Sequence, residues 1–96
     1  MKVFQDQEFE YKGIKSRYKD LMEQSINFVK QGAGLNVSEM RKRQRLLDVI
    51  EASNGSGRFE FEDQDFENLK KCVLQTDWNV LDKNIIAFTD AIEAVK

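Results

Sequence analysis

The sequence contains no histidine and no proline, and it has a single cysteine, Cys72. Without histidine, the chain lacks the commonest general base, the usual partner of a serine or cysteine nucleophile and the commonest zinc ligand. One cysteine cannot form a disulfide within the chain, and with no histidine beside it, it cannot hold a structural zinc ion. Because Cys72 opens the apolar run Cys72–Leu74, we expect a buried structural thiol rather than a reactive one.

The five glycines do not form a phosphate-binding motif. Gly32-Ala33-Gly34 is followed by Leu35, and neither the Walker A pattern nor the dinucleotide-binding pattern occurs. A calcium-binding loop of the EF-hand type with Gly57 at its sixth position would begin at Ala52 and would lack the bidentate glutamate. The sequence therefore predicts a protein that is not an enzyme and that has no cofactor and no metal site.

Long apolar runs are also missing. No stretch approaches the roughly 18 residues of a transmembrane helix, and the N-terminal residues have no signal-peptide core. Hydrophobic residues make up 41% of the 96 residues and charged residues 33%, with a net charge of −2. This composition is typical of one small globular domain, residues 1–96. We expect a cytoplasmic protein without membrane contact.

Apolar spacing predicts about four helices, at residues 14–31, 39–52 and 64–75 and in the segment up to Val95. Ser38 is the expected N-cap of the second helix. The last helix has the clearest stripe, with spacings of four and three. A stripe this wide is typical of a helix that packs centrally or that also meets a partner chain. Its members are Leu81, Ile85, Phe88, Ile92 and Val95, with Ile86, Ala87, Ala91 and Ala94 beside them.

Two short segments alternate apolar and acidic residues, Phe9–Tyr11 and Phe59–Phe61, and this alternation predicts strands. Strands so short need a partner. Either these two segments lie near each other, or Val3-Phe4 and Phe9–Tyr11 form a hairpin. The fold class expected is therefore α+β, mostly α, with about four helices and a minimal two-stranded β element in one domain.

Two charged runs are the candidate binding sites. The basic run lies in the first half of the second helix, where cations oppose the helix dipole, and such a local misfit can mark function. The acidic run follows the turn at Asn54–Gly57 and extends through the predicted strand into the start of the third helix. The two runs either face each other or form separate surfaces. The alternative is that both runs are solvated faces with no role in binding. The basic run is Arg41, Lys42, Arg43 and Arg45, and the acidic run is Glu60, Glu62, Asp63, Asp65 and Glu67.

These features favour a protein-interaction or assembly module, with another protein as partner or self-association through the last helix. Trp78 supports this reading, because tryptophan is enriched at binding hot spots. The alternative is a nucleic-acid-associated regulator whose basic run contacts phosphates. The overall acidic charge argues against that alternative.

The order of segments in roughly the last 60 residues resembles small uncharacterised proteins encoded by bacteriophages and prophages. The segments are MRKRQRLLDVIEAS, then FEFEDQDFENLKKCV, then W-x-V with a final amphipathic helix. The resemblance implies a phage accessory or assembly role in a bacterial cell or an infected host, performed by binding and not by catalysis. It supplies no functional residues.

Overall fold

The computed structural model describes all 96 residues as four helices and four short strands. The elements in chain order are β1 (Lys2–Gln5), β2 (Glu8–Tyr11), β3 (Ile14–Arg17), α1 (Tyr18–Asn27), α2 (Val37–Ala52), β4 (Arg58–Phe61), α3 (Asp63–Gln75) and α4 (Lys83–Ala94). The α+β class with a helical majority is confirmed. The β content is larger than expected, because the strands form two separate antiparallel pairs.

The hairpin expected between Val3-Phe4 and Phe9–Tyr11 is wrong, and the segments Phe9–Tyr11 and Phe59–Phe61 belong to different sheets. The strand at Phe59–Phe61 exists as β4, but it pairs with β1, so that Phe4 lies opposite Phe59. The strand at Phe9–Tyr11 exists as β2, and its partner is β3. The pairing of β1 with β4 buries Phe4, Phe59 and Phe61 together, which is the tertiary reason for joining strands from distant parts of the chain.

Residues 14–17 are a strand and not the first turn of a helix. A two-residue turn at Lys12 and Gly13 joins β2 to β3, and both residues have positive φ, 49° and 79°. This is the signature of the type I′ turn, whose twist suits a hairpin. Lysine is an unusual first residue for such a turn. The hairpin shortens the first helix, which begins at Tyr18 and ends at Asn27, so that Val29 lies outside it.

The ends of two other helices also differ from the expectation. Asn36, and not Ser38, is the N-cap of α2, since its side-chain oxygen accepts a hydrogen bond from the Glu39 backbone N–H at 2.8 Å. Asp82 caps α4 in the same manner through Asn84 N–H at 2.9 Å. Leu81 therefore precedes the last helix and is not part of its stripe.

One hydrophobic core lies between the four helices and the β1–β4 pair. The rings of Phe4 and Tyr18 stack at a centroid distance of 6.0 Å, and the Phe88 ring packs edge-to-face against both, at 6.0 Å from Phe4 and 5.3 Å from Tyr18. Spacings of three and four predict an inner face of Met40, Leu47 and Ile50 on α2, where Ile50 is buried, Leu47 is half-buried and Met40 is exposed. The same spacing predicts Phe66, Leu69 and Val73 for α3, and all three are buried. The core comprises Phe4, Tyr18, Leu21, Met22, Ile26, Leu46, Ile50, Phe59, Phe61, Phe66, Leu69, Cys72, Val73, Ile85, Phe88 and Ile92.

Candidate functional site

The basic run does not form a single surface. Arg43 turns inward, where its guanidinium donates to the carbonyl oxygen of Ile26 at 3.0 Å and also to that of Phe28. Its side chain is only 11% exposed, and it also contacts Glu39. These carbonyls belong to the C-terminal end of α1, where a cation is favourable. Arg43 opposes the dipole of its own helix, α2, but it stabilises the C-terminal end of α1.

The acidic run and the basic run meet at one point. Arg45 donates two hydrogen bonds to the carboxylate of Asp65, from Nε at 3.2 Å and from Nη2 at 3.1 Å. The Asp65 side chain is 7% exposed, whereas that of Arg45 is 65% exposed. Hydrogen bonding to Asp65, followed by its charge, raises the pKa of Arg45. The pair joins α2 to the first turn of α3, and both partners are occupied within the fold.

The other charged candidates remain on the surface. Arg41 and Lys42 are exposed, with no carboxylate within 4.0 Å. Besides Asp65, three residues of the acidic run have a cationic group within that distance, and Glu62 has none. The three contacts are Glu60 with Arg58 at 3.2 Å, Asp63 with the Met1 amino group at 3.2 Å, and Glu67 with Lys70 at 3.7 Å.

An apolar groove that the charge pattern did not indicate lies beside the β2–β3 hairpin. The hairpin has two different faces, because the register places Phe9 opposite Ser16 and Tyr11 opposite Ile14. These four side chains share the face that lines the groove. Glu8, Glu10, Lys15 and Arg17 share the opposite face, where Arg17 contacts Glu8 at 2.6 Å.

The other wall of the groove comes from α1, the start of α4 and the segment between α3 and α4. The groove has a volume of about 250 Å³. Trp78 is half-buried in this wall and packs against the core. The only acidic or basic residue in the lining is Asp82, whose carboxylate is already engaged as the cap of α4. The residues that complete this wall are Leu21, Gln24, Trp78, Asn79, Val80, Asp82 and Ile85.

Large apolar side chains remain in solvent in and beside the groove. The exposed fraction is 70% for Ile14, 48% for Val80 and 91% for Leu81, the residue that follows Val80. Ile86, one residue beyond the lining residue Ile85, is 56% exposed. Single exposed apolar residues are normal, but a group around a concave apolar surface is a feature of binding sites. We call the surface formed by the lining residues, which include Ile14 and Val80, the hairpin groove.

The outer side of α4 offers much less apolar surface than its stripe suggested. Ile85, Phe88 and Ile92 are buried in the core. The exposed positions of the helix include one large apolar residue, Ile86, beside alanines and charged residues. The stripe therefore packs inward, and self-association through this helix stays a prediction with little surface to support it.

Cys72 lies in the core on α3, as the sequence predicted. Burial raises the pKa of its thiol, and the nearby Arg43 charge opposes that change only in part. A nucleophilic cysteine requires the reverse, a lowered pKa and solvent access. This environment is that of a structural residue.

The structure also identifies a polar contact point that the sequence did not indicate. The Asp6 carboxylate, 6% exposed, accepts from the backbone N–H of Lys19 at 3.0 Å and contacts Arg17 at 3.5 Å. The Asp6 backbone N–H donates to the carbonyl oxygen of Gly57 at 2.8 Å. Asp6 thus fixes the hairpin against α1 and the β4 loop. A single aspartate between two short strands gives no signal for such a role.

Comparison with known proteins found no match: no family model, no curated protein and no solved structure matches the chain. None of the four helices is both long and apolar enough to cross a lipid bilayer. No three histidine, cysteine, aspartate or glutamate side chains converge to hold a metal ion.

Proposed function

We propose that this protein is a non-enzymatic interaction module that binds an apolar segment of another protein in the hairpin groove. The observation that carries the proposal is the groove itself, with Trp78 in its wall, the lining residues Ile14 and Val80 exposed to solvent, and the exposed Leu81 next to Val80 in the sequence. Covering these side chains removes apolar area from water, which favours association by about 25 cal/mol for each Å². Half-buried tryptophan is a typical anchor of binding hot spots.

The size of the groove supports a protein partner over a small molecule. Its volume of about 250 Å³ lies below the roughly 300–1,000 Å³ of most small-molecule sites. Such a volume suits a few anchoring side chains. The surrounding exposed residues enlarge the surface beyond the groove toward the roughly 1,000 Å² that a specific protein interface buries.

The charges at the rim indicate the chemistry of the partner. Lys12 follows the lining residue Tyr11, and Lys83 follows the lining residue Asp82. Neither lysine has a carboxylate within 4.0 Å. The partner segment therefore carries large apolar side chains with carboxylates beside them. A phage accessory or assembly role in the cytoplasm is the setting that we propose for such binding, on the resemblance alone.

The experiment is a selection of peptides from a displayed library against the folded protein, followed by titration of a selected peptide with Trp78 fluorescence as the signal. Ile14→Glu is the test variant, because Ile14 lines the groove, is 70% exposed and lies outside the core, so that its replacement leaves the core intact. Met40→Glu is the matched control, since Met40 is 51% exposed on α2 and lies outside the groove.

We expect selected peptides to be apolar and acidic, with binding at least about tenfold weaker for Ile14→Glu, or about 1.4 kcal/mol, and unchanged for Met40→Glu. Equal binding by both variants would refute the groove as the site. Light scattering at increasing protein concentration tests the other occupant, a second copy of the chain. A dimer that Ile14→Glu abolishes and Met40→Glu retains would show that a second copy of the chain, and not another protein, occupies the groove.

A further inference from the structure

A second concave surface is larger than the hairpin groove, is distinct from it and has a different chemistry. It is a cleft of about 550 Å³ between the loop that follows α1, the first half of α2 and the second half of α3. This volume is within the range of ligand-binding pockets. Three lysines from three separate segments line it, Lys30, Lys42 and Lys71. We call it the basic cleft.

The three ammonium groups are not neutralised within the fold. None of them has a carboxylate within 4.0 Å. The cleft has two acidic lining residues, Glu39 and Asp77. Glu39 is already engaged by Arg43 at 3.4 Å. The lysines therefore outnumber the free carboxylates three to one, in a chain whose net charge is −2.

The convergence of these lysines depends on the fold and not on a run of basic residues. Lys30 lies in the loop after α1, Lys42 in α2 and Lys71 in α3. Arg43, beside Lys42, ties α2 to the end of α1 through the carbonyl oxygens of Ile26 and Phe28, so it holds two walls of the cleft together. A concave surface lined by one sign of charge concentrates its field and attracts counter-ions.

We propose that the basic cleft binds a ligand with two or more phosphate groups. Lysine is a common phosphate ligand that acts as a point charge, and three lysines around one concave surface suit several negative charges better than a single carboxylate. The phosphates come either from a free polyphosphate or from the backbone of a single-stranded nucleic acid. The inference is independent of the hairpin groove, because the lining residues of the two surfaces do not overlap.

The test uses calorimetric titration with two probes, inorganic triphosphate and a short oligothymidylate, at low and at moderate salt. The cleft variant is Lys42→Gln with Lys71→Gln. The control variant is Lys12→Gln with Lys83→Gln, which removes the same charge from exposed lysines outside the cleft. Thermal unfolding of both variants shows that any change in affinity is not a loss of folding.

We expect the wild-type protein to bind at least one probe, and the cleft variant to bind it about tenfold or more weakly than the control. For the oligonucleotide, log affinity falls as log salt concentration rises. Removal of each lysine that contacts a phosphate should make this dependence shallower, reducing the magnitude of the slope by about one. Binding of triphosphate alone assigns the cleft to a free ligand, and binding of the oligonucleotide alone assigns it to a nucleic acid strand.

Two results would overturn the proposal. In one, neither probe binds to the wild-type protein. In the other, both variants lose affinity equally, which would show general charge attraction and no site. Amide chemical shifts of the wild-type protein provide a check without mutation, since binding in the cleft should perturb Gly34 and Asn68 and leave Ser16 and Asn79 of the hairpin groove unchanged.

Discussion

Replacement of Arg43 by alanine should destabilise the protein far more than the same replacement two residues earlier. Arg43→Ala removes the guanidinium that donates to the carbonyl oxygens of Ile26 and Phe28. Both carbonyls, at the end of α1, then lose this hydrogen-bond donor. Arg41→Ala is the matched control, because Arg41 is an exposed arginine of the same helix with no carboxylate within 4.0 Å. The two variants therefore have the same change in helix propensity and in net charge.

The magnitude follows from the two hydrogen bonds. A hydrogen bond from a charged donor contributes about 1.5–3 kcal/mol. The bond to Ile26 is buried, so its carbonyl loses a partner that water does not readily replace, whereas the half-buried Phe28 carbonyl is partly rehydrated. We expect Arg43→Ala to lower the free energy of unfolding by about 2–4 kcal/mol. For a domain of this size, that corresponds to a fall in Tm of roughly 10–25 °C. Arg41→Ala should change the free energy of unfolding by less than about 0.5 kcal/mol.

The assay is urea denaturation followed by far-ultraviolet circular dichroism and by Trp78 fluorescence, with coincident transitions as the check on two-state unfolding. Equal stabilities of Arg43→Ala and Arg41→Ala would refute the reasoning. That result would also mean that Arg43 is available for partner binding, as the basic run in the sequence suggested. Because Arg43 is needed for folding, a charge reversal there cannot test partner binding, and Lys42 is the better position for that purpose.

Three further predictions rest on particular contacts. Because burial raises the pKa of Cys72 above its ordinary value of 9.0, the folded protein should react very slowly with a thiol reagent at pH 8 and rapidly in denaturant; a fast reaction in buffer would contradict the burial. Hydrogen bonding to Arg17 lowers the pKa of Glu8 below its ordinary value of 4.5. The ion pair therefore stabilises the fold fully above about pH 4.5, and this stabilisation is lost as the pH falls through the lowered pKa of Glu8 in the folded protein. The difference in Tm between wild type and Glu8→Gln should therefore shrink in acid, and a constant difference would exclude the pair as its cause. Asp6→Ala leaves the Lys19 N–H without its acceptor and should cost about 1–3 kcal/mol in urea denaturation, whereas a neutral result would show that water replaces the carboxylate.

The helices illustrate how far local pattern determines structure. The spacing of Phe66, Leu69 and Val73 on α3 and of Ile85, Phe88 and Ile92 on α4 predicts their buried faces, and all six residues are buried. Such spacing is a property of one segment, because residues three and four apart always share a helix face. The apolar run Cys72–Leu74 predicts the burial of Cys72, which is observed, although Leu74 of the same run is exposed.

The strands show where local pattern fails. Phe59-Glu60-Phe61 predicts a strand with both rings on one face, but not the identity of its partner. Four-residue strands have several possible neighbours, and the pairing of β4 with β1 depends on how Phe4 completes the core. The hairpin at Lys12-Gly13 escaped prediction because Ile14 and Arg17 also fit the helix period of the residues that follow them.

The candidate sites depended on tertiary structure more than the fold did. The sequence by itself determined the helical majority, the buried faces of α3 and α4 and the buried thiol, because these follow from composition and short-range spacing. Only the tertiary structure decided that Arg43 turns inward, that Arg45 pairs with Asp65 and that three separated lysines share one cleft. The direction of a long charged side chain depends on carbonyls and carboxylates from other segments, and one-dimensional spacing does not specify those contacts.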